Sequence, residues 1–315
     1  MQPYFDNDYF LDMYQDTRIL IIIILILIVN MIALYELIRS CKNGNKAVKI
    51  MTSIAFCLSM PVIFTIERAN FLLMTLFFIL FYIFNYDSEN KTRRELALIS
   101  LAMASALKLT PAVLGILLLY NKQWKEAIRT VIYGLILGMV PFLFFHGGLV
   151  NIGRMFHNAA LNVQAYSSTE GTTIVAALVA FGVNATDGMI KIVKCITYVI
   201  VLLLFIQCLF YKEKWEVIMA VSMVLIIAPS HSGYYCIMYL IPAAIAFLNA
   251  KEHSYSDLLI LFSIILIVMD FQCDLFEYVL NYHLAIMLIL AVLLIRGFVR
   301  MYDVIKHKSD NSMAK

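Results

Sequence analysis

Residues 96–120 read LALISLAMASALKLTPAVLGILLLY, an apolar run interrupted once, by Lys108-Leu109-Thr110-Pro111 at its middle. Basic residues flank it on both sides: Arg93 and Arg94 before it, Lys122, Lys125 and Arg129 after it. Cations gather in loops on the cytoplasmic side of a membrane, so both ends of this run read as lying on that side. Each arm holds about 10–12 residues, roughly 18 Å of helix, against a hydrocarbon core of about 30 Å. The stretch therefore predicts a re-entrant pair of half-helices broken at Pro111, with Lys108 at the apex. Broken helices at membrane depth require shelter from protein or a wet cavity. A single kinked span is the alternative, and it puts one basic loop on the wrong side.

The rest of the 315-residue chain supports a membrane reading. Hydrophobic residues make up 63% and charged residues only 14%, against roughly a quarter charged in soluble domains. Apolar runs predict nine spans, near residues 19–38, 50–66, 71–86, 127–145, 189–211, 217–227, 236–249, 258–269 and 284–299. Residues 172–183 are too short to span and are expected at the interface or packed under a loop. The fold class is an all-α polytopic bundle with the re-entrant pair added. Residues 1–17 read as an acidic extracytoplasmic tail, 18–301 as one membrane-embedded domain and 302–315 as a cytoplasmic tail. Loop charges place the N-terminus outside and the C-terminus inside a cell membrane. The first apolar run follows acidic rather than basic residues, so no cleavable signal peptide is read. No basic stripe interleaved with aromatics points to nucleic acid. The six cysteines form no CxxC pair and no histidines have HExxH spacing, so neither a disulfide framework nor a metal site is expected, and no cofactor.

Polar groups inside an apolar bundle are costly and mark candidate chemistry. Lys108 at a helix break would pair with a lipid phosphate; the bland reading is an ammonium that snorkels to the interface. Arg68 and Asn70 occupy a tight outer turn, Glu67-Arg68-Ala69-Asn70. There a guanidinium would clamp phosphate, and Asn70 would bond a sugar or a backbone group. A second outer turn, Pro229-Ser230-His231-Ser232-Gly233-Tyr234-Tyr235, offers His231 to a phosphate or a proton transfer and Tyr235 to a sugar ring. For Tyr234 the ordinary aromatic-belt reading is preferred.

Three segments together carry a resemblance: the 67–70 turn opening an apolar span, the run Leu101-Ala-Met-Ala-Ser-Ala-Leu-Lys108-Leu-Thr-Pro111 with the basic Lys122-Gln-Trp-Lys125 downstream, and the 228–235 turn. Over residues 50–250 the chain resembles glycosyltransferase family 87 of the GT-C superfamily, the polyprenol-phosphate-mannose-dependent mannosyltransferase type. The resemblance implies a GT-C-like bundle, a polyprenyl-phosphate-sugar donor, a glycan or glycolipid acceptor and transfer with inversion among membrane lipids. It also implies a carboxylate base in the first outer loop, with Lys108, Arg68 and His231 on the donor phosphate. Family members usually place a span and a long loop before that point, whereas this chain reaches its first span at once. The base is then one of Asp6, Asp8, Asp12 and Asp16, with Asp6 and Asp8 put forward, or the chain is a truncated or inactive form. A transporter or flippase of lipid-linked glycans is the reading from another class.

Overall fold

The computed structural model describes residues 17–68, 70–165, 169, 171–229, 233–269 and 281–313. Every regular element among them is helical. The first helix, α1 (Thr17–Cys41), is an Ile/Leu-rich rod of 25 residues, about 37 Å long at 1.5 Å per residue. Leu34 and Ile38 are buried while Ile22, Leu25, Val29 and Ile32 are exposed, so α1 stands on the perimeter with one flank turned outward.

Four helices are long and apolar enough to cross a membrane: Ile21–Cys41, Trp124–Phe144, Asp187–Gln207 and Asn281–Lys306. A bent pair, α2 (Lys46–Cys57) and α3 (Met60–Glu67), with an angle of 46° between them, makes a fifth candidate if it counts as one broken span rather than a re-entrant loop. The bend has a local cause. Pro61 sits in the first turn of α3, where its missing N–H costs nothing, and the Ser59 hydroxyl donates to the Phe56 carbonyl at 2.7 Å. Nine spans were expected from the apolar runs. The runs 72–85, 110–120, 234–248 and 257–269 form shorter apolar helices, so the structure supports four to five crossings by length.

At the centre stands α11 (Lys214–Ile227), buried at every position from Trp215 to Ile227 except the half-buried Val217. A helix apolar on nearly every side belongs in a core; the neighbouring α12 (Leu240–Leu248) is nearly as enclosed, and α4 (Leu72–Asn85) is buried along one side. The remaining helices are α7 (Trp124–Met139), α8 (Val150–Ala165), α9 (Ile174–Ala180), α10 (Asp187–Gln207), α13 (Asp257–Met269) and α14 (Asn281–Met313). Among the residues of α8 whose side chains are described, 150–161, none is buried. Four residues of α9, Ile174 to Ala177, are buried, which fits the expected packing of that short segment. The last helix continues unbroken through residue 302 to Met313.

The 96–120 stretch folds as an out-and-back hairpin. Its first arm is α5 (Lys91–Leu107); its second is a 3-10 turn, Thr110–Gly115, followed by α6 (Ile116–Tyr120). The Tyr82 hydroxyl donates to the Leu114 carbonyl at 3.2 Å, and Asn121 Nδ2 donates to the Tyr86 hydroxyl at 3.2 Å. Residue 121 is thereby back beside the loop from which α5 departs. Two details differ from the sequence reading. The first arm is 17 residues, about 25 Å, and the break falls at Lys108, which is extended at φ −152°, ψ 122°. Pro111 is buried in the first turn of the returning 3-10 segment, a position suited to its fixed φ.

The basic end of the bundle is tied by charged pairs. The Lys42 ammonium donates to the Leu248 carbonyl at 2.8 Å, to the Asn43 carbonyl at 3.0 Å and to Asn249 Oδ1 at 3.0 Å. Burial lowers its pKa below the ordinary lysine value. Lys214 meets Asp87 at 2.6 Å. The fully buried Glu216 pairs with Arg296 at 3.3 Å and Arg300 at 2.6 Å, and Arg296 also pairs with Asp257.

Candidate active site

Five segments meet at the end of the bundle opposite these charged pairs. The Phe64 ring at the end of α3 stands edge-on to Tyr234, with centroids 5.4 Å apart. Tyr234 lies 4.8 Å from Tyr282 at the start of α14. Lys108, at the hairpin apex, holds its ammonium 4.5 Å from the centroid of the Tyr235 ring. His283 Nε2 lies 3.0 Å from the Gly171 carbonyl. Aromatic rings therefore connect the end of α3, the segment after α11 and the first turn of α14, and Lys108 brings the hairpin to that segment through Tyr235.

Each member has a local reason for its position. Lys108 ends α5 with its N–H donating to the Ala104 carbonyl at 3.0 Å, and its side chain is half-buried. An ammonium over an aromatic face is attracted by the ring quadrupole. Tyr235 is the second residue of a 3-10 helix, Tyr234–Tyr239, and its ring folds back over Gly233. A Cβ at 233 would lie 2.7 Å from Tyr235 Cε1, so the close approach requires glycine. Arg68 caps α3 and lays its guanidinium 5.0 Å from the Phe64 ring centroid; its side chain is exposed. Neither Arg68 nor Lys108 pairs with a carboxylate among the described residues.

Asn70 is explained by the backbone option. Its Oδ1 accepts from the Leu72 N–H at 3.0 Å, and its own N–H donates to the Thr65 carbonyl at 3.0 Å. It shapes the turn that presents Arg68. His231, Asp6 and Asp8 lie outside the described residues, as do Asp12 and Asp16.

A profile of glycosyltransferase family 87 matches residues 14–230, more than two-thirds of the chain. The protein belongs to glycosyltransferase family 87. Family 87 membership implies an enzyme that joins a donor sugar to an acceptor, and the apolar helices set that chemistry in a membrane. No curated protein and no solved structure matches the chain. The family 87 match contains the bent pair, the hairpin with Lys108 and the Arg68 turn. Tyr235 and the start of α14 lie beyond it.

Sequence reasoning missed several neighbours of this candidate site. Tyr282 and His283 stand just before the last span read from the sequence, 284–299, where no role is assigned to them, although an ionisable residue at the edge of an apolar run is a functional signal by itself. Tyr234, assigned to an aromatic belt, links two helices through its ring. Beside the site, Lys194 of α10 lines a small cleft with Thr173, Thr197, Tyr198 and Pro229; it sits in a run read only as a span.

Proposed function

We propose that the chain transfers a sugar, mannose by the family pattern, from a polyprenyl-phosphate donor to a glycolipid or polysaccharide acceptor. The reaction takes place at the aromatic end of the bundle, on the extracytoplasmic face of a cell membrane. The observation that carries this reading is the Lys108 ammonium, held on Tyr235 at the turn of a hairpin and without a carboxylate among the described residues. A cation brought into apolar surroundings favours an anionic partner. Sidedness rests on the opposite end, where Lys42, Lys91, Lys122, Lys125 and Lys214 gather as cytoplasmic loops do.

The chemistry follows from those groups. Attack of an acceptor hydroxyl at the anomeric carbon forms the new glycosidic bond and breaks the bond to the phosphate oxygen, which leaves with the electron pair. Lys108 and Arg68 stabilise the charge that grows on that oxygen, with His231 as a further donor. Tyr235 orients the ammonium and offers its ring to the sugar, while Asn70 holds the turn that carries Arg68. A hydroxyl is a poor nucleophile at neutral pH, so a proton acceptor is needed; Asp6 and Asp8 are the sequence's candidates.

Binding of a fluorescent polyprenyl phosphate to the purified protein tests the phosphate assignment. Lys108→Ala should weaken binding about 10- to 100-fold, the worth of a hydrogen bond to a charged group, and should leave neutral polyprenol unaffected. Equal binding of the phosphate by both proteins would remove Lys108 from the site.

A further inference from the structure

The turn between α1 and α2 encloses a cleft of about 400 Å³, within the usual size of a small-molecule site. It is lined by Glu36, Arg39, Ser40, Gly44, Lys46 and Lys49. Glu36 pairs with Arg39. Lys46 and Lys49 pair with no carboxylate among the described residues, so the cleft keeps two positive charges beyond its own ion pair.

The turn that carries these charges is firmly held. Asn249, which ends α12, accepts from the Asn43 N–H at 2.8 Å and donates through Nδ2 to the Cys41 carbonyl at 2.8 Å. Gly44 adopts φ 122°, a conformation that side-chain-bearing residues rarely take. The Asn45 side chain then caps α2 by accepting from the Val48 N–H at 2.9 Å. Lys42 turns inward to the Leu248 carbonyl, whereas Lys46 is exposed and Lys49 half-buried on the cleft. One lysine fastens the turn and two face the opening.

Below the cleft, α1 supplies an apolar face. Leu25, Val29, Ile32 and Glu36 follow the i, i+4, i+7, i+11 spacing of one side of a helix, and Leu25, Val29 and Ile32 are exposed. The stripe leads from the cleft about 16 Å along the span. A headgroup with an acyl chain matches a charged cleft that continues into such a stripe; a free phosphate would use the cleft alone.

We propose that this cleft binds an anionic phospholipid, with its phosphate on Lys46 and Lys49 and an acyl chain along Leu25, Val29 and Ile32. Basic pockets between helices on the cytoplasmic side of a membrane take such headgroups. The cleft lies at the charged end of the bundle, where Lys42 meets Leu248, so this lipid is distinct from the donor expected at Lys108. Its leaflet follows from the sidedness proposed above; its binding does not depend on the transferase reading.

Native mass spectrometry of the detergent-purified full chain, offered equal amounts of phosphatidylglycerol and phosphatidylcholine, tests the site. The parent should retain phosphatidylglycerol in preference. Lys46→Gln/Lys49→Gln should weaken that retention about 25-fold, about fivefold for each lysine beside an anionic headgroup, with a melting temperature in phosphatidylcholine equal to the parent's. Lys46→Arg/Lys49→Arg keeps the charge and should retain the lipid as the parent does. Lys122→Gln/Lys125→Gln removes the same charge from another basic loop and should leave retention unchanged. Equal retention of the two lipids by the parent overturns the proposal, as does full retention by Lys46→Gln/Lys49→Gln. An equal loss in the two glutamine variants overturns it too, since that marks a general attraction to basic loops. Displacement of phosphatidylglycerol by millimolar inorganic phosphate overturns the lipid assignment and gives the cleft to a free phosphate.

Discussion

The Lys108 ammonium and the Tyr235 ring stand 4.5 Å apart, joining the apex of the hairpin to the segment that follows the central helix. The contact fixes a cation that would otherwise swing on a flexible stem. It also predicts a graded response at residue 235. Tyr235→Phe keeps the aromatic face and should bind polyprenyl phosphate as the parent does. Tyr235→Leu removes it and should weaken binding about 2- to 30-fold, the range of a cation–π contact. Titration of the three proteins with the same lipid checks the order.

Glu216 is fully buried between Arg296 and Arg300. Removing one partner of a buried ion pair costs about 3–5 kcal/mol, because the charges left behind stay in a poorly solvating environment. Glu216→Ala should therefore lower the melting temperature of the detergent-purified protein by roughly 10 °C. Donor affinity measured well below that transition should be unchanged, since this network lies at the other end of the bundle.

The hairpin places its apex and its two roots at opposite ends. In a cysteine-free background, a cysteine at 108 should react with a membrane-impermeant thiol reagent added outside, and cysteines at 91 and 125 should react only after permeabilisation. Labelling of position 125 from outside would mean that residues 91–120 form a single crossing.

Much of the architecture was legible because apolar runs dictate burial, and because Lys108 to Pro111 interrupts such a run between two basic flanks. The hairpin follows from those two features alone. The number of crossings did not, since an apolar run reports what is buried and not how long the helix is. Leu72–Asn85 spans 14 residues, about 21 Å, and serves the core without the length of a full span. The bend in 46–67 was not read, since 50–66 was taken as one plain span; it falls just before Pro61, where α3 packs against Tyr234–Tyr239. The site was half visible. Lys108, Arg68 and Tyr235 stand out as polar or aromatic residues at turns, and the structure links Lys108 to Tyr235 and Arg68 to Phe64. His283 and Gly171 are far apart in the chain, so their bond has no local signature.

The central claim is that this family 87 member transfers sugar from a lipid phosphate through the Lys108 end of its bundle. The most direct measurement is sugar transfer from polyprenyl-phosphate-mannose by the purified, reconstituted protein, comparing the parent with Lys108→Ala. Turnover by the parent and its loss by about 10-fold or more in Lys108→Ala is the predicted result. Turnover undiminished in Lys108→Ala would contradict the account, and so would movement of the intact lipid across the vesicle membrane with no sugar transferred.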